Sequence, residues 1–370
     1  MVKVLNIISD TNIGGAGRVL LNYLKYRDRD EFDISVLVPA GSLLKPRLEE
    51  LGARVYEAEG FADVSYSRKA VKILKQRIRE IGPDIVHTHG SLAGRIAARQ
   101  SGARVIYTRH SVFPVSAKLK SGPGRLMNRL INEHYADAMI AVSPAARDNL
   151  AESGIPPEKV DVIMNGVEPV ERLTGAALEE ARRRFGVRDG VFTAGILARF
   201  EEYKGQSDIL KAVGILKDRG VDVTVLMAGA GTNEETIRRL IEESDLSDRV
   251  RDVGFVTDVP ALLSVLDAQL NASWGTEATS LSLLEGMSMG LPAIVSDYGG
   301  NPYVIENGRN GLVFPARDAR ALADCMEALA ASPEKREALS EGARRIYREK
   351  FTAEGFARGI ENIYRRVMED

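Results

Sequence analysis

Cysteine is nearly absent. Cys325 is the only one in 370 residues, so no disulfide can form within the chain. That usage suits a reducing, cytoplasmic setting, and the helical pattern "ALADCMEALA" reads Cys325 as core packing. No apolar run approaches the roughly 18 residues of a membrane span, and "MVKVLNIISD" reads as a strand rather than a signal peptide. The P-loop pattern Gly-x-x-x-x-Gly-Lys-Ser/Thr is missing. So is Gly-x-Gly-x-x-Gly: its nearest candidate, "TNIGGAGRVLLNYL", has Leu20 where the last glycine would stand. A P-loop nucleotidase and a dehydrogenase therefore lose their sequence support. No His/Cys/Asp cluster has metal-ligand spacing, so no resident metal or cofactor is expected. Low-complexity segments and short-period repeats are also lacking. Neither sign of charge dominates, with 50 Lys+Arg against 52 Asp+Glu, and no nucleic-acid partner is expected.

At 370 residues, 44% hydrophobic and 28% charged, the chain is too long for one ordinary core and fits two domains. Charge divides unevenly between the halves. Residues 1–167 hold 24 Lys+Arg and 18 Asp+Glu, whereas residues 168–370 hold 26 and 34. A basic N-terminal face near anionic phosphate or lipid headgroups would explain this, and scattered solvated charge explains it equally well.

Short apolar runs alternate with helical patterns along the whole chain. "VKVLNIIS", "FDISVLVP", "ARVYEA", "DIVHTHG", "ARVIYTRH" and "AMIAVS" read as strands of the first half. The pattern pauses near "VIMNGVEPVERLTG". "VFTAGILAR", "VTVLMAGAG", "RVRDVGFV", "AQLNASW", "PAIVSD" and "GLVFPA" form a second series. Runs without strict alternation suit strands buried on both faces, and repeated strand-then-helix order predicts doubly wound α/β domains. The fold class expected is thus α/β, two similar domains in tandem joined near residue 168. Ligands in such sheets bind beyond the carboxyl ends of strands, and two facing sheets would make a deep cleft. The last helix, "FARGIENIYRRVMED", could pack on either domain.

Four stretches bear chemistry. In "TEATSLSLLEGMSMG" Glu277 precedes an apolar run and Glu285 lies inside it. Glycosidase carboxyl pairs stand about 5–9.5 Å apart across one bond, but on a shared helix these two would be roughly 12 Å apart at ~1.5 Å per residue. They suit the two ends of an extended ligand, with Thr279, Ser280 and Leu281 opening a helix whose free amides favour phosphate. The plainer alternative is one solvent-facing glutamate and one helix cap. Next, in "GILARFEEYKGQSDIL", Arg199 and Lys204 follow a strand, where both could offset a diphosphate's charge; a solvated surface pair reads as well. Gly14, Gly15 and Gly17 allow close ligand approach at a helix start, or simply make a turn. His110 ends the run "ARVIYTRH" and could bond a sugar, although a lone histidine is more often structural, as are His87 and His89. Asp28 and Asp30 of "RDRDEFD" read as solvated. In "SAKLKSGPGRLMNRLINEHYADAMI", Lys118, Lys120, Arg125 and Arg129 flank apolar residues. This helix is expected to pack in the core with solvated ends, and a membrane-surface or lipid-linked-acceptor contact is the other reading.

Taken in order, these stretches resemble glycosyltransferase family 4, retaining transferases of GT-B architecture with two facing Rossmann-like domains. The likeness runs through the Gly-Gly loop, "VSPAARDNL", "VIMNGVE", "LARFEEYKG", "MAGAG" and "EATSLSLLEGMSMGLPAIVSDYGGNPYVIENGRNGLVF". The last block matches the family's Glu-x₇-Glu element with its Gly-x-Pro and Gly-Gly signatures. It departs from the commoner Glu-Gly-Phe-Gly at Ala278, Thr279 and Ser280, which puts the local amide geometry in question. The resemblance implies roles. Glu277 would bind donor-sugar hydroxyls, Glu285 the ribose, and Arg199 and Lys204 the diphosphate, with Gly15 beside it. Amides around Thr279, Ser280 and Leu281 would bind phosphate, backbone near Val256 the base, and His110 the donor–acceptor junction.

It also implies an acceptor-binding domain over 1–167, joined by a C-terminal helix at about 351–370 crossing back. A nucleotide-sugar domain would cover 168–350. The implied reaction is metal-independent, retaining transfer of a hexose-type sugar from a nucleotide-diphosphate sugar to a glycan, lipid-linked or small-molecule acceptor, with peripheral contact at the inner membrane face. The alternatives are a catalytically silent nucleotide-sugar-binding subunit of a transferase complex and a GT-B sugar-nucleotide epimerase.

Overall fold

In the computed structural model, which describes residues 1–369, the apolar runs form two parallel sheets. The first contains β1 (Val2–Ile8), β2 (Phe32–Pro39), β3 (Arg54–Ala58), β4 (Ile85–His89), β5 (Arg104–Arg109), β6 (Ala138–Ala141) and β7 (Val160–Val162), in the order 3-2-1-4-5-6-7. The second contains β8 (Phe192–Leu197), β9 (Val223–Ala228), β10 (Val250–Gly254), β11 (Ala268–Asn271), β12 (Ala293–Ser296) and β13 (Gly311–Phe314), in the order 10-9-8-11-12-13. Strand β7 falls where the sequence pattern pauses; three residues are too few to display a period.

The chain divides into two compact units, Met1–Val167 with Phe351–Asp370, and Glu168–Lys350. In the first, Leu5, Ile7, Val86 and Val105 from the sheet meet Leu74 and Ile78 of the helix Arg68–Ile81 and three alanines of the helix Leu92–Arg99. The longer helix starts where Ser67 Oγ accepts from the Ala70 amide, and it stops at Gly82. Both ends follow from capping chemistry. In the second unit, Val223, Val225 and Met227 pack on Ile209, Val213 and Leu216 of the helix Gln206–Asp218.

The C-terminal helix Ala353–Glu369 belongs to the first unit. Val167 and Thr352 form a bridge at its start, Tyr364 is fully buried, and Arg366 pairs with Asp161. The helix Gly122–His134 departs from the core-packed expectation. Asn132 is its one buried residue, and Leu126, Met127 and Leu130 are 58%, 58% and 52% exposed. Their i, i+1, i+4 spacing gives the helix an apolar stripe, but nothing in this unit covers it.

Candidate active site

Strand order decides where ligands can sit. In the second sheet β8 lies beside β11, and the chain winds outward from that pair in opposite directions. Such a switch point opens a crevice at the carboxyl ends of its two strands. Strand β8 ends at Leu197 and leads to Arg199 and the turn Glu202–Lys204, while β11 ends at Asn271 and leads to Glu277. Two stretches some 70 residues apart in sequence are therefore delivered to one place.

They meet there. Glu277 Oε2 accepts hydrogen bonds from Lys204 Nζ at 3.0 Å, Asn271 Nδ2 at 3.1 Å and Ser273 Oγ at 3.2 Å. Lys204 Nζ also donates to the Thr276 carbonyl at 3.1 Å. The two side chains are only 14% and 8% exposed. A carboxylate this buried needs such partners to remain charged. Arg199 stands apart from the pair: it is exposed, and its Nη2 donates to the Tyr203 hydroxyl at 2.9 Å. Tyr203 in turn accepts the Trp274 amide on its carbonyl, which ties the turn to the Glu277 loop.

Glu277 lies in a loop, and the helix begins only at Leu281, with Ser280 at its N-cap and Thr279 before it. The two glutamates therefore do not share a helix. Nor is one solvent-facing and the other a cap, since Glu277 is 7% and Glu285 9% exposed. Glu285 sits on the buried side of the helix among Leu283, Leu284 and Met287, and Gly299 and Gly300 close over Glu277. The Gly300 amide donates to the Glu277 carbonyl at 2.9 Å. A Cβ on Gly300 would come within 1.6 Å of the Ala278 carbonyl, and one on Gly299 within 2.2 Å of the Glu277 carbonyl. Gly300→Ala is thus expected to cost about 3 kcal/mol by overpacking, measured as a lower urea midpoint. An unchanged midpoint would show that the loop yields without cost.

The side chain of Ser280 makes no capping bond to the backbone amides; its Oγ pairs with Ser282 Oγ at 3.0 Å. Ser282 Oγ donates to the Leu197 carbonyl at 3.2 Å, which pins the helix start to the end of β8. Val256, half-buried, follows β10, and its neighbour Phe255 is 77% exposed. The Gly254 carbonyl accepts the Gly229 amide at 2.8 Å, and the Phe200 amide donates to the Ala230 carbonyl at 3.0 Å. Val256 and Arg199 thus lie in the loops on either side of the one that follows β9.

The first unit repeats the arrangement, with β1 beside β4. Gly15 opens the helix Gly15–Tyr26, and a Cβ there would meet nothing within 4 Å. Packing within the protein therefore does not demand a glycine at this position. His110 follows β5, and it is not a lone histidine: its Nε2 lies 2.8 Å from His89 Nδ1, and His89 Nε2 lies 3.0 Å from Asn6 Oδ1. His87 bonds Tyr364 and Thr108 at 2.8 and 2.7 Å and stacks on His89. Burial pushes His87 down to about 3 and His110 to about 4, and it holds His89 well below the usual histidine range, with the neighbouring rings adding to the effect on His89. All three rings are neutral near pH 7. Asp28 and Asp30 are exposed, as expected, and Asp28 Oδ1 closes a turn by accepting the Asp30 and Glu31 amides.

Sequence reading missed Asn271, Ser273 and Tyr203 around Glu277, and Asn6 and Tyr364 around the histidines. Asn271 and Ser273 carried a signal, because polar residues at the end of a strand run, "AQLNAS", stand where ligands bind.

Residues 178–346 match the family Glycosyl transferases group 1, and residues 13–171 match Glycosyltransferase Family 4. The chain belongs to these glycosyltransferases. The α-D-kanosaminyltransferase of Streptomyces kanamyceticus is 27% identical over 314 residues, 79% of this chain and 80% of that protein. The UDP-Gal:α-D-GlcNAc-diphosphoundecaprenol α-1,3-galactosyltransferase of Escherichia coli is 24% identical over 339 residues, 86% and 85% of the two chains. Among solved structures, Anabaena HepE in complex with UDP and glucose superposes with a TM-score of 0.83 at 22% identity, covering 98% of this chain and 99% of that one. The fold of this glycosyltransferase is accordingly GT-B. Among its described residues no group of three or more His, Cys, Asp or Glu is placed to hold a metal ion, and no helix is long and apolar enough to cross a membrane.

Proposed function

We propose that this glycosyltransferase moves a hexose-type sugar from a nucleotide-diphosphate sugar to a glycan, lipid-linked or small-molecule acceptor, with retention and without a metal. The contact between Lys204 and Glu277 at the β8–β11 crevice carries the reading. An ionised carboxylate is an acceptor for hydroxyls, and a lysine is a compact cation for phosphate. Together they suit a ligand with sugar hydroxyls at one end and a diphosphate at the other. Two relatives named or solved with UDP compounds make uridine the base to test first.

In this mechanism Glu277 holds donor-sugar hydroxyls, and Lys204 and Arg199 attract the diphosphate increasingly as it gains charge on leaving. Backbone at Thr279, Ser280 and Leu281 receives phosphate, Glu285 holds the ribose, and backbone at Val256 meets the base. Gly15 takes the role that the family resemblance implies for it, beside the diphosphate. The departing group leaves an oxocarbenium-like sugar, which the acceptor hydroxyl attacks on the same face, passing its proton to the leaving phosphate. His110 contacts the sugar at that junction.

Calorimetric titration of UDP, GDP and ADP in excess EDTA tests the metal-free donor site. One nucleotide is expected to bind, about tenfold more weakly in Arg199→Ala, as for a lost charge-assisted hydrogen bond. Binding that appears only with Mg²⁺ would overturn the metal-free reading.

The acceptor reading extends to the helix Gly122–His134. Leu126, Met127 and Leu130 are exposed there beside Lys118, Lys120, Arg125 and Arg129, the composition of a face that rests on anionic lipid. Lys120 pairs with Glu152 and Arg129 with Glu133, so the apolar stripe supplies much of the attraction. Flotation with phosphatidylglycerol liposomes is expected for the native protein and not for Leu126→Asp/Leu130→Asp. Absence from both anionic and neutral liposomes removes the membrane contact.

A further inference from the structure

The histidine cluster contains more polar order than a contact to sugar requires. Asn6 of β1, His89 at the end of β4 and His110 after β5 form one hydrogen-bonded line across three neighbouring strands. Asn6 turns its oxygen, Oδ1, toward His89 Nε2. An amide oxygen only accepts, so His89 must carry its proton on Nε2. A neutral ring has one proton, which leaves His89 Nδ1 as an acceptor, and the only atom opposite it is His110 Nε2. His110 therefore carries its proton on Nε2 and presents a bare lone pair at Nδ1. That atom is buried and has no hydrogen-bond partner. The line runs from Asn6 Oδ1, on an amide whose Nδ2 is buried without a partner, to an unsatisfied acceptor at the carboxyl end of β5, where this topology places ligands.

We infer that Asn6 and His89 are positioning residues, which lock His110 in the Nε2–H tautomer so that Nδ1 accepts a hydrogen bond from a hydroxyl of the bound carbohydrate. The inference rests on the reading that His110 faces the transferred sugar or its acceptor. His87 takes no part in the line. It is tied at both ring nitrogens to Tyr364 and Thr108 and serves as the platform on which the His89 ring stacks. Among the described residues, the polar groups lining the small cavity beside the line are these histidines, Asn6, Thr108, Tyr23 and Tyr364, none of them a carboxylate, lysine or arginine.

The chain has four histidines, so ¹⁵N-histidine-labelled full-length enzyme yields four ring systems, assignable by single substitutions. Long-range ¹H–¹⁵N correlation is expected to show His110 and His89 both protonated on Nε2 in the native protein. In Asn6→Leu, His110 is expected to divide between its two tautomers. Nucleotide release from a panel of UDP-, GDP- and ADP-sugars should then fall about tenfold in kcat with KM little changed, the size seen when outer partners that orient a ring are lost. His89→Gln, which keeps one donor and one acceptor, should retain most of the rate, whereas His89→Phe should lose about tenfold. A native His110 protonated on Nδ1, or a tautomer unmoved in Asn6→Leu, overturns the inference. Full turnover in His110→Ala would instead sink the placement of His110 at the transfer site, and the spectra would still decide the tautomer question.

Discussion

Replacing Lys204 by alanine is expected to lower kcat by about 10²–10³-fold, the loss typical of one preorganised electrostatic donor. Two consequences of the geometry combine. In the proposed mechanism the leaving diphosphate loses a cation held at a fixed point, and in the structure Glu277 loses the cationic partner that holds its nearly buried carboxylate. Asn271 and Ser273 remain as neutral donors, so the carboxyl stays hydrogen-bonded but no longer faces a cation. Breaking one side of a buried pair also costs stability, about 3–5 kcal/mol when no water replaces the partner. Lys204→Ala should therefore unfold at lower urea as well as turn over slowly. Measuring kcat at saturating donor, on protein shown to be folded by circular dichroism, separates the two effects. An unchanged kcat would remove Lys204 from the mechanism.

The first unit should lose stability steeply in mild acid. His87 and His110 are neutral in the native state down to about pH 3 and 4, and His89 stays neutral well below the usual histidine range, because burial opposes the charged form. In the unfolded chain each takes up a proton near pH 6.5. Between these values unfolding binds protons, so falling pH favours it. The contribution is whole above pH 6.5, is lost as pH falls, and levels off near the native values. Each histidine adds a slope of about 1.4 kcal/mol per pH unit, or about 4 for the three together. Urea midpoints at pH 7.5, 6, 5 and 4.5 should fall along that slope. A flat profile, or one unaltered in His87→Asn, would mean that the rings are not held neutral.

The fold was legible because its signal is local. Apolar runs of strand length alternate with helical patterns, and a parallel sheet needs only that. Strand β7 escaped because it is too short to carry a pattern. The helix Gly122–His134 was misjudged for a different reason: spacing shows that one face is apolar but not what lies against it. The strand-end placement of Arg199, Lys204, Glu277 and His110 was also legible, since all four follow strand runs. Their contacts were not. Lys204 and Glu277 are 73 residues apart, Asn6 and His89 83, and His87 and Tyr364 277. Neighbouring parallel strands bring the first two pairs together, and docking of the C-terminal helix brings the third. Lone histidines and solvent-facing glutamates are reasonable readings of isolated positions, and tertiary structure reversed both.

Donor turnover is the most direct test. The purified protein, in EDTA, is incubated with uridine, guanosine and adenosine diphosphate sugars, and nucleotide release is recorded for the native chain and for Glu277→Ala. Slow release from one donor, abolished in the variant, is the predicted result. Release from none of them, or release undiminished without the Glu277 carboxylate, would contradict a donor site built on Lys204 and Glu277.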